Sequence, residues 1–270
     1  MAFVYWALAL LVIPGNAALA LYTIFTCARL TFDSGVLPAA FRYPPISLFG
    51  VHPPEAVQLY KTGFPLVALL FFIAVFPIAR FLRAHAVGEE ERDAAWTSSW
   101  TAVVAFAGLG VHGYVPLHAS ILKQVNGERA TAEEAAGANF QNGVHQAAAA
   151  VFFMLSIYHG ITVVKLLYGS DTHPMGLRGS RPMLSTLSVG LKGLTLGLQF
   201  LPSIVGLVGH PVMNALTGLS LNENDIGGVS QWWTVGCLIC FYVTYSVDLV
   251  VIALHEQSLA TESIKKKKAV

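Results

Sequence analysis

The chain has 270 residues, 55% of them hydrophobic and only 11% charged, with a mean hydropathy of +0.61. That balance excludes an ordinary soluble domain and predicts an all-α, polytopic membrane protein. The formal net charge of +1 gives no signal for nucleic acid, and Cys27, Cys237 and Cys240 all fall in apolar runs, which excludes a secreted disulfide framework.

A hydrocarbon core of about 30 Å is crossed by about 20 apolar helical residues, because backbone amides cannot be left unpaired in lipid. Six stretches qualify, at 3–29, 62–82, 96–117, 144–167, 183–208 and 231–254. In the first, Ala18-Leu19-Ala20 resembles a cleavage site, yet no basic residue precedes the run and it continues to Cys27, so an uncleaved anchor is expected. Pro14 and Gly15 interrupt this span, and Pro65 and Pro77 interrupt the second, as membrane helices tolerate. Trp96, Trp100, Trp232 and Trp233 mark helix ends at the interface. The expected organisation is one six-helix transmembrane bundle over 1–258, with a basic tail over 259–270.

Lys and Arg beside the spans predict the orientation. Ten of the sixteen lie on the side of both termini, five lie on the side of loops one, three and five, and Lys192 is inside a span. Both termini are therefore expected to be cytosolic. The longest loops, around 31–61 and 119–142, are expected to be lumenal or extracellular. The tail carries lysines at 265–268 followed by Ala269 and Val270, so Lys267 and Lys268 resemble a dilysine retrieval signal read by coat proteins. A polybasic contact with anionic lipid and a plain stop-transfer flank are the other readings.

Ionisable residues within spans are functional candidates because they are expensive in lipid. Lys192 and Asp248 fall at matched depths on spans adjacent in sequence, which predicts an intramembrane ion pair, and His159 lies at similar depth. Thr244, Tyr245 and Asp248 share one helical face that is expected to point into the bundle. A second polar set is expected on the lumenal side: Ser47, His52 and Glu55 in loop one, His112 and His118 ending span three, and Asn139, Gln141 and His145 entering span four. This set suits a lipid headgroup or ligand, or acid–base chemistry. It lacks H-E-x-x-H, G-x-S-x-G and metal-ligand spacing, so no catalytic residue, metal ligand or cofactor is assigned. Pro44, Pro45, Pro53 and Pro54 stiffen loop one, and Gly50 permits a reversal, so the loop is expected to lie over the helix mouths and bring Ser47, His52 and Glu55 near His112 and His145.

Loop one reads Tyr43-Pro44-Pro45-Ile46-Ser47-Leu48-Phe49-Gly50-Val51-His52-Pro53-Pro54-Glu55. It resembles the P-x-I-S-x-x-G-x-x-P-P-E loop of the damage-regulated autophagy modulator (DRAM) family, within the Frag/Sfk-type superfamily. Asn139-Phe140-Gln141 with His145, and the last helix with Trp232, Phe241-Tyr242, Thr244-Tyr245 and Asp248, resemble two further family segments. Leu48 and Gln231 stand where the family often carries acidic residues. The resemblance implies a protein of lipid homeostasis, through GPI-anchor remodelling or phosphoinositides, or of autophagy regulation, without catalysis of its own. A membrane-embedded hydrolase or acyltransferase using the lumenal His and Glu residues is the alternative, and a small-solute or proton-coupled transporter is the third. Expected partners are membrane lipids, coat proteins at the dilysine and other membrane proteins, with no nucleic acid. The endoplasmic reticulum or early Golgi is the expected location, with the lysosome or plasma membrane as alternatives.

Overall fold

In a computed structural model, residues 2–38, 41–86, 88–129, 131–169, 182–201, 214–215, 218 and 223–268 are described. Among them the chain is all-helical, with no strand. The first rod is α1 (Ala2–Ala7), a π-helical turn (Leu8–Val12) and α2 (Ile13–Asp33), running without a break. Pro14 cannot donate a backbone hydrogen bond to the preceding turn, and the wider π turn sits where that bond is lost. A 3-10 turn (Ile46–Gly50) then leads into α3 (Pro54–Ala84), α4 (Gly88–Tyr114), the short α5 (Ser120–Val125) and α6 (Ala132–Gly169). Further helices, with most of 202–222 outside the described residues, are α7 (Pro182–Gln199), α8 (Glu223–Val243) and α9 (Tyr245–Lys268).

Among the described residues five helical segments are long and apolar enough to cross a membrane: Ala2–Asp33, Pro54–Ala84, Gly88–Tyr114, Ala132–Tyr168 and Asp225–Lys267. The expected fifth span at 183–208 corresponds to α7, which has 18 residues; positions 202–208 lie outside the described residues. The expected long loop at 119–142 is largely helical instead. At 38 residues and about 1.5 Å per residue, α6 runs about 57 Å, well beyond a bilayer core of about 30 Å. Its first turns, from Ala132 through Ala136, are rich in Ala and Glu, and helix propensity carries the helix past the apolar segment.

Neighbours in sequence are neighbours in space. The packing runs α2 on α3, α3 on α4, α4 on α6, α6 on α7 and α7 on α8, and α1 against α9 closes the ring. Gly108 lets α4 approach α6 closely, since a Cβ there would meet the Ala148 carbonyl and the Phe152 amide of the facing helix. Inside the ring, Asn16 donates to the Val67 carbonyl at 3.0 Å, joining α2 to α3. The α-helical pattern of the last rod is interrupted at Thr244, whose hydroxyl donates to the Phe241 carbonyl at 2.6 Å between α8 and α9. The helix of α9 then continues without interruption past position 258 to Lys268, exposed from Gln257 through Lys267.

Candidate functional site

Buried polar side chains gather at two levels of the bundle. One turn beyond Thr244, Asp248 on α9 meets Lys192 on α7 with Nζ and Oδ2 2.6 Å apart, both essentially inaccessible to solvent. Ser188, one turn before Lys192, accepts from Nζ at 2.7 Å and donates a short hydrogen bond to Asp248. Nζ also lies 4.6 Å from the centre of the Tyr245 ring. The Tyr245 hydroxyl donates to His159 Nε2 at 2.6 Å, and His159 Nδ1 lies 2.9 Å from the Ser98 carbonyl, which places the ring proton on Nδ1. One connected network thus joins α4, α6, α7 and α9. Tyr242 adds a bond to Ser156 at 3.1 Å between α8 and α6. Thr244, Tyr245 and Asp248 are all buried. The His159 and Ser98 links were not legible in the sequence, because serine at a helix position reads equally as surface.

Near the other end the same arrangement recurs. Tyr60 of α3 donates to His112 Nε2 at 2.9 Å, and His112 Nδ1 faces the His145 carbonyl at 3.4 Å. The rings of His112 and His145 stack with centroids 3.9 Å apart, and His145 Nδ1 lies 2.8 Å from the Val115 carbonyl. Both nitrogens of His112 are therefore engaged. Only Nε2 of His145 is without a hydrogen-bond partner, and it is buried.

Of the expected lumenal set, only His112 and His145 are in side-chain contact. Glu55 and Asn139 are exposed and His52 is half-buried, and none of the three forms a side-chain hydrogen bond or ion pair among the described residues. Thr31 donates instead to the His52 carbonyl, at 2.8 Å. Gln141 donates to the Pro116 carbonyl at 2.7 Å, and His118 pairs with Ser120 at 3.0 Å, so both tie off the turn after α4. The expected convergence of Ser47, His52 and Glu55 on the histidines therefore does not occur. The first loop reaches His112 indirectly: Gly50 lies flat on the Tyr60 ring, where a Cβ would collide, and the Tyr60 hydroxyl holds His112.

The loop is fastened by α8, a role that sequence reasoning missed. Asp225, fully buried, accepts from the amides of Arg42 and Tyr43 at 3.0 Å each. One turn on, Gly228 leaves room for the Tyr43 carbonyl. Gln231 then accepts from the Ser47 amide at 3.4 Å, and Trp232 donates to the Pro44 carbonyl at 3.1 Å. The signal was present as Asp, Gly and Gln-Trp at helical spacing, 225, 228, 231 and 232, but nothing in one sequence said what that face would grip.

Beneath the strap, a vestibule of about 420 Å³ opens between α6 and α8 with Ser47, Ser230, Gln231 and Thr234 at its mouth. It shares Phe153 and Gln231 with a mostly apolar cavity of about 40 Å³, walled by Ile46, Phe71, Phe152 and Leu238 and reaching Tyr242 and His112. At the far end of α3 a groove of about 810 Å³ runs between α3 and α4. Among the described residues no three His, Cys, Asp or Glu side chains form a metal-ligand group.

These features define a class: an all-helical protein with several helices suited to cross a membrane, as in a multi-pass membrane protein. No family model, curated protein or solved structure matches the chain.

Proposed function

We propose that this protein is a six-span membrane protein of the DRAM/Frag/Sfk type that holds membrane lipid without transforming it, in GPI-anchor or phosphoinositide homeostasis or autophagy regulation. The observation that carries the lipid-handling reading is the vestibule under the first loop. Among the described residues it sets the uncharged polar side chains of Ser47, Ser230, Gln231 and Thr234 beside the apolar Pro45 and Phe153, a combination that suits a neutral, hydroxyl-bearing headgroup. The process names rest on the resemblance of the first loop and the last helix.

The arrangement of the histidines supports holding over hydrolysis. His112 has no free lone pair to act as a base, and the open nitrogen of His145 faces the protein interior. The Lys192–Asp248 network closes on itself through Ser188 and Tyr245, which supports a packing role over ion transport.

Lipid extracted from the purified full chain and identified by mass spectrometry tests this reading. A co-purifying lipid that is lost in Ser230→Trp supports it. Lipid turnover by the purified protein that disappears in His112→Ala or His145→Ala overturns it in favour of a hydrolase, and coupled flux in liposomes overturns it in favour of a transporter. The proposed topology puts Gly50 and Glu90 on opposite faces, so cysteines placed there are expected to label from opposite sides. The early secretory location is tested by Lys267→Ser with Lys268→Ser, which is expected to move the protein to later compartments.

A further inference from the structure

At the end of the bundle away from the first loop, the groove between α3 and α4 has two unlike parts. Its floor and walls are apolar, with Phe72, Phe76 and Phe106 among them, while Arg80, Arg83 and Arg92 line the same groove and, among the described residues, no carboxylate does. Arg83 lies over the Trp96 ring at 4.1 Å, which holds its guanidinium against the groove wall. Arg80 and Arg92 have no carboxylate or hydrogen-bond partner among the described residues. The outer wall is exposed aromatic surface, Phe72, Phe76, Trp96 and Trp100, on helices apolar enough to cross a membrane. The groove therefore opens sideways, towards the acyl region, with cations at one end.

The geometry points to a binding site for an anionic phospholipid, with an acyl chain along the phenylalanines and the phosphate between the three arginines. Guanidinium groups match phosphate oxygens in paired hydrogen bonds, and among the described residues no carboxylate of the groove lining competes for them. The volume of about 810 Å³ is within the range of about 300–1,000 Å³ typical of ligand pockets. Bulk attraction of basic residues to an anionic membrane surface needs no groove, and that difference is what the test exploits. This site lies at the other end of α3 from the vestibule and does not depend on it.

Trp96 and Trp100 report on the site directly. The full chain is reconstituted in phosphatidylcholine nanodiscs carrying a small fraction of phosphatidylglycerol with brominated acyl chains, which quench tryptophan on contact. Preferential quenching over brominated phosphatidylcholine at equal fraction is expected, and it should vanish in Trp96→Phe with Trp100→Phe. Arg80→Gln and Arg92→Gln are each expected to weaken the preference roughly tenfold, as for loss of a hydrogen bond to a charged group. Arg80→Lys with Arg92→Lys keeps the charge and guards against misfolding; it should retain part of the preference. Ala79→Phe narrows the groove without changing charge, and should remove the preference too. Equal quenching by the two lipids overturns the site. So does a preference that survives Ala79→Phe yet disappears in high salt, which marks surface attraction only. Equal quenching by the two lipids together with binding of glycerol phosphate that is lost in Arg80→Gln and Arg92→Gln overturns the lipid and assigns the arginines to a soluble anion.

Discussion

Removing either member of the Lys192–Asp248 pair leaves the other charged in the interior of the bundle. With Nζ and Oδ2 2.6 Å apart and an effective dielectric of about 20, the direct attraction is about 6 kcal/mol, much of it offset by desolvation of the two ions. Truncating one partner of such a pair costs about 3–5 kcal/mol, because the survivor keeps its desolvation and loses its compensation. Ser188 adds to the loss, since it accepts from Lys192 and donates to Asp248 and is left half-served by either change. Lys192→Met and Asp248→Leu are therefore each expected to destabilise the protein by about that amount. The double replacement, with no stranded charge, should cost less than either single change. Equilibrium unfolding in mild detergent, with the folded fraction read by size exclusion, measures all three. If the two single losses simply add in the double variant, the charges do not compensate each other and the reasoning fails.

Gly50→Ala forces a Cβ into the Tyr60 ring, so the first loop should lift and become cleavable by added protease while the helices stay intact. Asp225→Ala strips the acceptor from two amides, at about 1–3 kcal/mol for each left unpaired, and should raise hydrogen exchange at Arg42 and Tyr43. Unchanged exchange would mean another acceptor holds the loop. Lys123 on α5 has its pKa raised by the hydrogen bond and charge of Glu134, 2.7 Å away. A raised amine pKa favours the folded state below the unfolded value and loses that contribution as pH rises through the folded one. Glu134→Gln should therefore lower the Lys123 titration seen by NMR and leave stability at neutral pH nearly unchanged, since the pair is exposed.

Several properties follow from local physics alone. An apolar run of about 20 residues must be helical in lipid, so the places of α2, α3, α4, α6 and the α8–α9 rod are legible from hydropathy, as is the expectation that Lys192 seeks a counter-charge. The pairing with Asp248 could be reasoned from depth because depth along a helix is linear in residue number. Rotation about the helix axis is not determined that way, and it decided everything else. His112 and His145 meet because α4 and α6 pack closely at Gly108, whereas His52 and Glu55, nearer to them in the expected loop, point elsewhere. Asp225 found its partners in backbone amides 182 and 183 residues away, groups every residue carries and no side-chain pattern can advertise. The arginines at 80, 83 and 92 read in sequence as a cytosolic flank; only the packing of α3 on α4 sets them along one groove, because a cavity belongs to two surfaces at once and to neither segment alone.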